Sequence, residues 1–210
     1  AGGGIGTAMV VPGPGLLNAA AAVGTAYAAS CPLLLVSGQI EREMIGQGHG
    51  MLHEVDDQLD AIKTVTKWAS RVLDPADVPA AVHEAFVQLK TGRPRPVEIE
   101  IPPETLAQAV ETELREPVQG GVLEPRPEAV EEAARVLAAA ADPLIIAGGG
   151  AITSGASAPL LRVAEHLQAP VIATAEGKGA VSDRHYLSLG MPNWKPDSLH
   201  KLLERCDVLL

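Results

Sequence analysis

Histidine and carboxylate side chains are concentrated in one short segment of the chain. They are His49, His53, Glu54, Asp56 and Asp57. His49 and His53 have the i, i+4 spacing that places two metal ligands on one face of a helix, but Gly48 and Gly50 disfavour a continuous helix there. Three interpretations are open: a divalent metal site, a loop histidine that faces a ligand cleft, and a solvated polar loop. The two interpretations without a metal are favoured.

A glycine–proline turn follows the first apolar segment. Residues 7–18 read TAMVVPGPGLLN, with the turn at Gly13-Pro14-Gly15. Glycine permits backbone conformations that other residues resist, and proline fixes φ and removes a hydrogen-bond donor. A second apolar segment, PLLLVSGQI, ends at Gly38-Gln39. Because ligands bind at the carboxyl ends of strands in open parallel sheets, both breaks are expected to border a ligand site.

A run of three glycines, from Gly148 to Gly150, follows an apolar segment in the second half of the chain. Placed between a strand and a helix, such a run can cradle a phosphate at the helix N-terminus. It lacks the G-x-G-x-x-G spacing of a dinucleotide-binding turn. A phosphate or nucleotide contact and a plain strand-to-helix turn are therefore both open.

Composition excludes several classes of partner. The chain has 210 residues, 47% of them hydrophobic, and a formal net charge of −10. This acidity argues against nucleic acid or an anionic membrane surface as the main partner. No apolar run approaches the roughly 20 residues that span a bilayer. Cys31 and Cys206 are far apart in sequence and predict neither a disulfide framework nor a thiolate metal site. We expect a cytoplasmic protein without a membrane partner.

Short apolar segments alternate with helical segments along the chain, which predicts parallel sheets with helical crossovers. We predict an α/β fold with two successive three-layer α/β/α domains. The first is placed at residues 1–104, a linker at 105–127 and the second at 128–210. The chain begins AGGGIG without methionine and ends DVLL, a half-strand without a turn. We therefore expect both domains to be incomplete.

Three local predictions concern the first domain. Asp77 is expected to cap a helix that runs to Leu89. Residues 96–101, PVEIEI, are predicted to form a strand with an exposed face or a strand near the sheet edge, because apolar and charged residues alternate. A loop rich in glycine and charged residues is predicted from Glu41 to Gly50, and neither a helix nor a strand is predicted for the segment MLHEVDDQL that follows it.

Residues 7–40 resemble a stretch of thiamine-diphosphate-dependent enzymes, in which a GPG-x-x-N turn follows one strand and a Gly-Gln pair ends the next. The acetolactate synthase-like branch is the most similar. Further segments match in the same order, so that the resemblance covers nearly the whole chain. They are HEVDDQ at 53–58, VTKW at 65–68, GRPRPV at 92–97, PLIIAGGG at 143–150, GKG at 177–179 and LGM at 189–191.

The resemblance implies an enzyme that uses thiamine diphosphate and Mg²⁺ to decarboxylate a 2-oxo acid and pass the carbanion to an acceptor. By the same resemblance, the aminopyrimidine ring of the cofactor would lie beside Pro14, Gly15 and Asn18, with Gly38 and Gln39 near the same cleft. The family's catalytic glutamate would lie upstream of this chain, and its diphosphate and Mg²⁺ motif in a C-terminal domain. The chain alone is therefore expected to be inactive.

The second half resembles the family's central domain, which holds FAD in some members. Residues compatible with FAD or a nucleotide are Gly148, Gly149, Gly150, Gly190 and Met191. Pro192 stands where the synthases tend to have histidine, which leaves FAD open.

His53 stands where the synthase branch has glutamine. Histidine can transfer a proton near neutral pH, so His53 is our candidate catalytic residue, and decarboxylase, carboligase and acetyltransferase chemistry are all open. In this family the active site lies between subunits, which implies a homodimer or homotetramer of the intact protein. The alternative is a non-catalytic nucleotide-binding or structural relative.

Overall fold

The computed structural model describes residues 4–121, 123–192 and 196–210, so the first three residues of the AGGGIG opening lie outside it. Backbone contacts divide the chain into two compact units, Ala1–Val122 and Leu123–Leu210. Each unit contains a four-stranded sheet in which every strand pairing is parallel. The predicted α/β class with parallel sheets is confirmed. No helix in the described ranges is both long enough and apolar enough to cross a membrane.

The first unit alternates strands and helices. Its elements are β1 (Gly6–Val10), α1 (Pro14–Ala28), β2 (Leu33–Gly38), α2 (Gln58–Lys63), β3 (Trp68–Arg71), α3 (Val78–Lys90), β4 (Val97–Ile101) and α4 (Pro103–Ala107). Single 3₁₀ turns occupy Arg42–Met44 and Pro75–Asp77. The division between the units, after residue 122, falls within the segment 105–127 that we predicted as a linker.

The first sheet has the order β1-β2-β4-β3 and carries an apolar cluster on each face. On one face, α1 and α2 pack on the sheet through Leu16, Val23, Leu35 and Ile62. On the other face, α3 contributes Ala85 and Leu89 to a cluster with strand residues such as Ile99. Both faces are therefore covered, as parallel sheets require.

Strand β4 lies between two other strands, and all five of its residues are buried. Glu98 and Glu100 are each 0% exposed. The prediction of an exposed face was therefore wrong, whereas β4 does lie near the sheet edge, next to the edge strand β3. Charged residues at every second position usually mark a solvated face, but here that face carries α1 and α2, and the two carboxylates have polar partners inside the unit.

Helix boundaries differ from the sequence prediction at two places. Asp77 makes no capping hydrogen bond within the described residues. Asp74 instead accepts a hydrogen bond from the Ala76 amide at 2.9 Å and starts the 3₁₀ turn that leads into α3. Helix α2 was not predicted, although Asp57 caps it by accepting from the Asp60 amide at 3.1 Å.

Lys67 secures the C-terminal end of α3. Its Nζ donates to the backbone carbonyls of Gln88 and Thr91, at 2.6 Å each. These are carbonyls that the helix cannot satisfy internally. Burial, together with the nearby Arg95, lowers the pKa of Lys67. The lysine of the VTKW segment therefore has a structural role in this unit.

The second unit has the sheet order β7-β6-β5-β8. Its elements are α5 (Pro127–Ala138), β5 (Pro143–Ala147), α6 (Gly149–Thr153), α7 (Ser157–Leu167), β6 (Val171–Ala173), β7 (Ser188–Gly190), α8 (Pro196–Arg205) and β8 (Val208–Leu209). A core cluster joins β5 and β6 to α7 through residues that include Ile145, Val171 and Ala164.

Candidate functional site

The carboxyl edge of the first sheet brings the two predicted turns together. Gly13 immediately precedes α1 with φ +57°, a conformation that favours glycine, and Pro14 is the first residue of the helix. Gly38 is the last residue of β2, beside β1 in the sheet. A Cβ at Gly38 would lie 3.0 Å from Cδ of Pro12, so the turn packs directly on the end of β2.

Gln58 joins these two turns through its side-chain amide. The Gly13 amide donates to Oε1 of Gln58 at 2.7 Å, and Nε2 of Gln58 donates to the Gly38 carbonyl at 2.8 Å. The same nitrogen donates to Oε2 of Glu100 at 3.0 Å. Gln58 is 1% exposed and is the first residue of α2. One side chain therefore links α1, β2 and β4.

Glu100 is held from two sides. Its second carboxylate oxygen accepts a hydrogen bond from Nε of Arg71, which lies opposite Glu100 in the register of β3 and β4. A terminal nitrogen of Arg71 lies 3.9 Å from Oδ1 of Asp57, the residue that caps α2. A charged pair inside the sheet thus connects β3 and β4 to the start of the helix that carries Gln58.

Glu98 lies on the same face as Glu100. Its Oε1 accepts a hydrogen bond from Oγ of Ser37, and its Oε2 has no hydrogen-bond partner among the described residues. Burial raises the pKa of Glu98 to about 8; the Ser37 hydrogen bond and Arg71 oppose that rise, and Glu100 adds to it. Glu98 is therefore mostly protonated at neutral pH.

The other predicted site residues of the first unit, apart from His53, lie at the start of α1 or directly after β2. Pro14 and Asn18 are exposed on the first turn and a half of α1, and Gly15 is half-buried against the Val11 side chain. Gln39 is buried, and its Oε1 accepts from the Ile40 amide at 2.7 Å. The chain thus brings the predicted residues of the first unit to one edge of its sheet.

His53 approaches the turn through its backbone. A Cβ at Gly13 would lie 2.3 Å from the His53 carbonyl oxygen, and His53 itself has φ +71°. Its side chain is half-buried in the loop before α2, whereas His49 is exposed. A residue with a side chain at position 13 would therefore collide with the backbone of this loop.

Glu54 stabilises the same loop, since its carboxylate accepts from the amides of Gly48 and Met51 at 3.0 and 2.8 Å. The Met51 hydrogen bond is the main cause of a lowered pKa of Glu54. Across the described residues, no three histidine, cysteine or acidic side chains are grouped so that they could hold a metal ion.

In the second unit, the glycine run packs against the loop that follows β6. A Cβ at Gly177 would lie 2.0 Å from the Ala147 carbonyl oxygen, and one at Gly149 would lie 2.9 Å from Cβ of Glu176. Gly148 and Gly150 have open space at the corresponding position. Gly190 ends β7 with φ +65°, and Met191 after it is exposed.

Sequence reasoning missed four polar residues of the network: Arg71, Gln58, Glu98 and Glu100. In HEVDDQL, Gln58 stands among charged residues and resembles part of a solvated loop. The available signal was Asp57, a favourable capping residue followed by Leu59 and Ile62 at helical spacing.

Comparison with known proteins identifies both halves of the chain. Residues 1–61 match the family model "Thiamine pyrophosphate enzyme, N-terminal TPP binding domain", and residues 130–210 match "Thiamine pyrophosphate enzyme, central domain". The chain is 36% identical over 200 residues to a probable 2-ketoarginine decarboxylase of Pseudomonas aeruginosa, covering 90% of this chain and 35% of that protein. It is 33% identical over 214 residues to a probable acetolactate synthase large subunit of Methanocaldococcus jannaschii, covering 98% and 36%.

Solved structures agree with these matches. The benzoylformate decarboxylase from Polynucleobacter necessarius superposes with a TM-score of 0.86 at 27% identity, covering 98% of this chain and 38% of that chain. A putative thiamin diphosphate-dependent enzyme from Mycobacterium smegmatis has the same fold, with a TM-score of 0.77 at 24% identity. The chain spans about a third of the length of the curated relatives that it matches. The resemblance inferred from the sequence is confirmed, and the chain belongs to the thiamine pyrophosphate enzyme family.

Proposed function

We propose that this chain is part of a thiamine-diphosphate-dependent enzyme that decarboxylates or carboligates a 2-oxo acid. The observation that carries the proposal is the meeting of the Gly13–Gly15 turn and Gly38 at the carboxyl edge of the first sheet, where ligands of parallel sheets bind. It occurs in a unit matched by the N-terminal TPP binding model. The decarboxylase and synthase names of the relatives support the reaction class.

The residues at this edge fit the aminopyrimidine side of the cofactor. Pro14 and Asn18 are exposed beside the turn, and Gly15, Gly38 and Gln39 lie next to it. The turn itself is fixed by Gln58 and by the His53 carbonyl, so these residues present a preformed surface. When bound, thiamine diphosphate supplies the carbanion chemistry, and this chain binds and orients it.

Mg²⁺ and a homo-oligomeric assembly belong to the proposal through the family resemblance, and cytoplasmic localisation is proposed from composition. FAD is the second cofactor to be tested, because Gly148, Gly150, Gly190 and Met191 border open or exposed surface in the second unit. The fit is partial, since Glu176 fills the space beside Gly149. Flavin absorbance of the purified full-length protein decides whether FAD is present.

We assign His53 as a proton-transferring residue in the full-length enzyme. Its side chain is half-buried in the loop that contacts Gly13. His53→Ala keeps the backbone carbonyl and is expected to lower turnover by about 10²-fold, with a much smaller loss of cofactor affinity. His49→Ala, in the exposed part of the same loop, is the matched control and should keep its turnover. An unchanged rate in His53→Ala would support the solvated-loop interpretation instead.

The reaction class is tested with the full-length protein. Calorimetry measures thiamine diphosphate binding with and without Mg²⁺, and release of carbon dioxide is measured with an aliphatic, an aromatic and a basic 2-oxo acid. We expect Mg²⁺-dependent binding and turnover of at least one substrate. A folded protein that binds no thiamine diphosphate would contradict the proposal and favour the non-catalytic alternative.

A further inference from the structure

The side-chain amide of Gln58 forms hydrogen bonds with groups from separate elements of the first unit. It is almost fully buried, and its three shortest hydrogen bonds reach the turn before α1, the end of β2 and the middle of the sheet. We propose that Gln58 is a positioning residue that sets the Gly13–Gly15 turn against the end of β2, and that Glu100 and Arg71 orient its amide.

The direction of each hydrogen bond explains why the residue is glutamine. Oε1 of an amide only accepts and Nε2 only donates. The Gly13 amide needs an acceptor, whereas the Gly38 carbonyl and the Glu100 carboxylate need a donor. An ionised glutamate at position 58 would place an oxygen against two acceptors, and a leucine would remove the hydrogen-bond partner that Gln58 gives to all three groups.

The carboxylate of Glu100 decides which way the amide points. Arg71 occupies one oxygen of Glu100, so the other oxygen is available to Nε2 of Gln58. Arg71 also lies near Asp57, which caps the helix that begins at Gln58. The position of the turn is therefore coupled to an ion pair in β3 and β4 and does not depend on the loop alone.

This proposal extends the proposed function. Of the measurements described below, only the one of thiamine diphosphate binding rests on that function. Pro14, Gly15 and Asn18 follow Gly13 directly in α1, so a shift of the Gly13 amide moves all three. Displacement of a binding group by about 1 Å can cost on the order of 10²-fold in rate. If Gln58 only stabilised the fold, its substitution would instead lower cofactor affinity in proportion to the loss in the free energy of unfolding.

The experiment compares Gln58→Glu and Gln58→Leu with Lys67→Met in the full-length protein. Lys67→Met is the matched control, because it removes two side-chain hydrogen bonds from the same unit without contact to the turn. Three quantities are measured: hydrogen exchange of the peptide that contains Gly13, the free energy of unfolding, and the dissociation constant for thiamine diphosphate. Pro12 and Pro14 have no backbone N–H. Gly13 therefore carries the one exchangeable backbone amide among residues 12–14.

We expect Gln58→Leu to lose protection at Gly13 by about tenfold or more at every pH, and Lys67→Met to keep it. A buried glutamate beside Glu100 is ionised only at alkaline pH, so Gln58→Glu should lose protection at about pH 9 and regain it, relative to wild type at the same pH, at about pH 5, where its protonated carboxyl can donate. Unchanged protection at Gly13 in Gln58→Leu, or no recovery of Gln58→Glu at low pH, would overturn the assignment.

The cofactor readout separates positioning from general stability. Gln58→Leu should weaken thiamine diphosphate binding by about tenfold or more, beyond the loss in Lys67→Met at equal destabilisation. Equal losses in the two variants would refute a positioning role. A wild-type protein that binds no thiamine diphosphate but shows the expected exchange pattern would refute the proposed function and leave the role of Gln58 in the turn intact.

Discussion

The buried carboxyl of Glu98 makes the stability of the first unit depend on pH in a direction that can be worked out. The pKa of Glu98 rises from 4.5 to about 8 on folding, mainly because of burial. Between these values the folded state keeps a proton that the unfolded state releases. The free energy of unfolding therefore falls as pH rises from about 4.5 to about 8, and this contribution is constant outside that window. The other groups that act on Glu98 are Ser37, Glu100 and Arg71.

The size of the effect follows from the two pKa values. One pKa unit corresponds to about 1.4 kcal/mol, so the loss is on the order of 3 kcal/mol between pH 5 and pH 8. Glu98→Gln removes the titrating group and keeps an oxygen that can accept from Ser37. Its amide nitrogen replaces Oε2, which has no partner among the described residues, and this substitution shifts stability by a constant amount. The difference between variant and wild type should therefore change by on the order of 3 kcal/mol across the window.

The measurement is urea unfolding at several pH values, monitored by tryptophan fluorescence in a Trp194→Phe background, so that Trp68 of β3 reports on the first unit. Glu43→Gln, an exposed change in the same unit, is the control for general effects of charge. Parallel stability curves for Glu98→Gln and wild type between pH 5 and pH 8 would refute a protonated Glu98 in the folded state.

Two further predictions concern packing and helix ends. Gly177→Ala should destabilise the second unit by about 1–3 kcal/mol, because its Cβ would meet the Ala147 carbonyl. Gly150→Ala has open space for its Cβ inside α6, so it should be neutral or stabilise by up to about 1 kcal/mol. Equal melting temperatures for the two variants would contradict this contact. Lys67→Met should lower the free energy of unfolding of the first unit by about 2 kcal/mol, because the carbonyls at the end of α3 lose a charged donor. Hydrogen exchange at the last turn of α3 should rise in this variant; a stability equal to that of wild type would argue against the cap.

The sequence was sufficient for the alternation of strands and helices, because that pattern is local. The apolar segment that precedes the glycine run is strand β5, and the Gly13 turn has the positive φ that its glycine indicated. The family assignment also followed from ordered motifs. These features depend on neighbours in sequence, which one chain displays directly.

The polar network could not be predicted because its partners are far apart in sequence. Gln58 is 45 residues from Gly13 and 42 from Glu100. A buried Glu98 is also indistinguishable from a solvated one until the strand order places β4 between β2 and β3. The structure also gives a different reason why position 13 is glycine. A Cβ there would collide with the His53 carbonyl, whereas the sequence indicated only a nearby ligand. The ligand contacts of the turn remain a prediction.

The position of β4 also has a consequence for synthesis on the ribosome. Strands β2 and β3 are both complete before residue 97 is made, yet the strand that separates them is the last of the first sheet. A nascent chain that ends earlier therefore exposes two unpaired strand edges, which can pair with each other or with another chain. The gap can close only after residues 97–101 have left the ribosome, when β4 brings Glu98 and Glu100 to their partners. Until β4 emerges, the facing edges of β2 and β3 are therefore open to pairing with each other or with another chain.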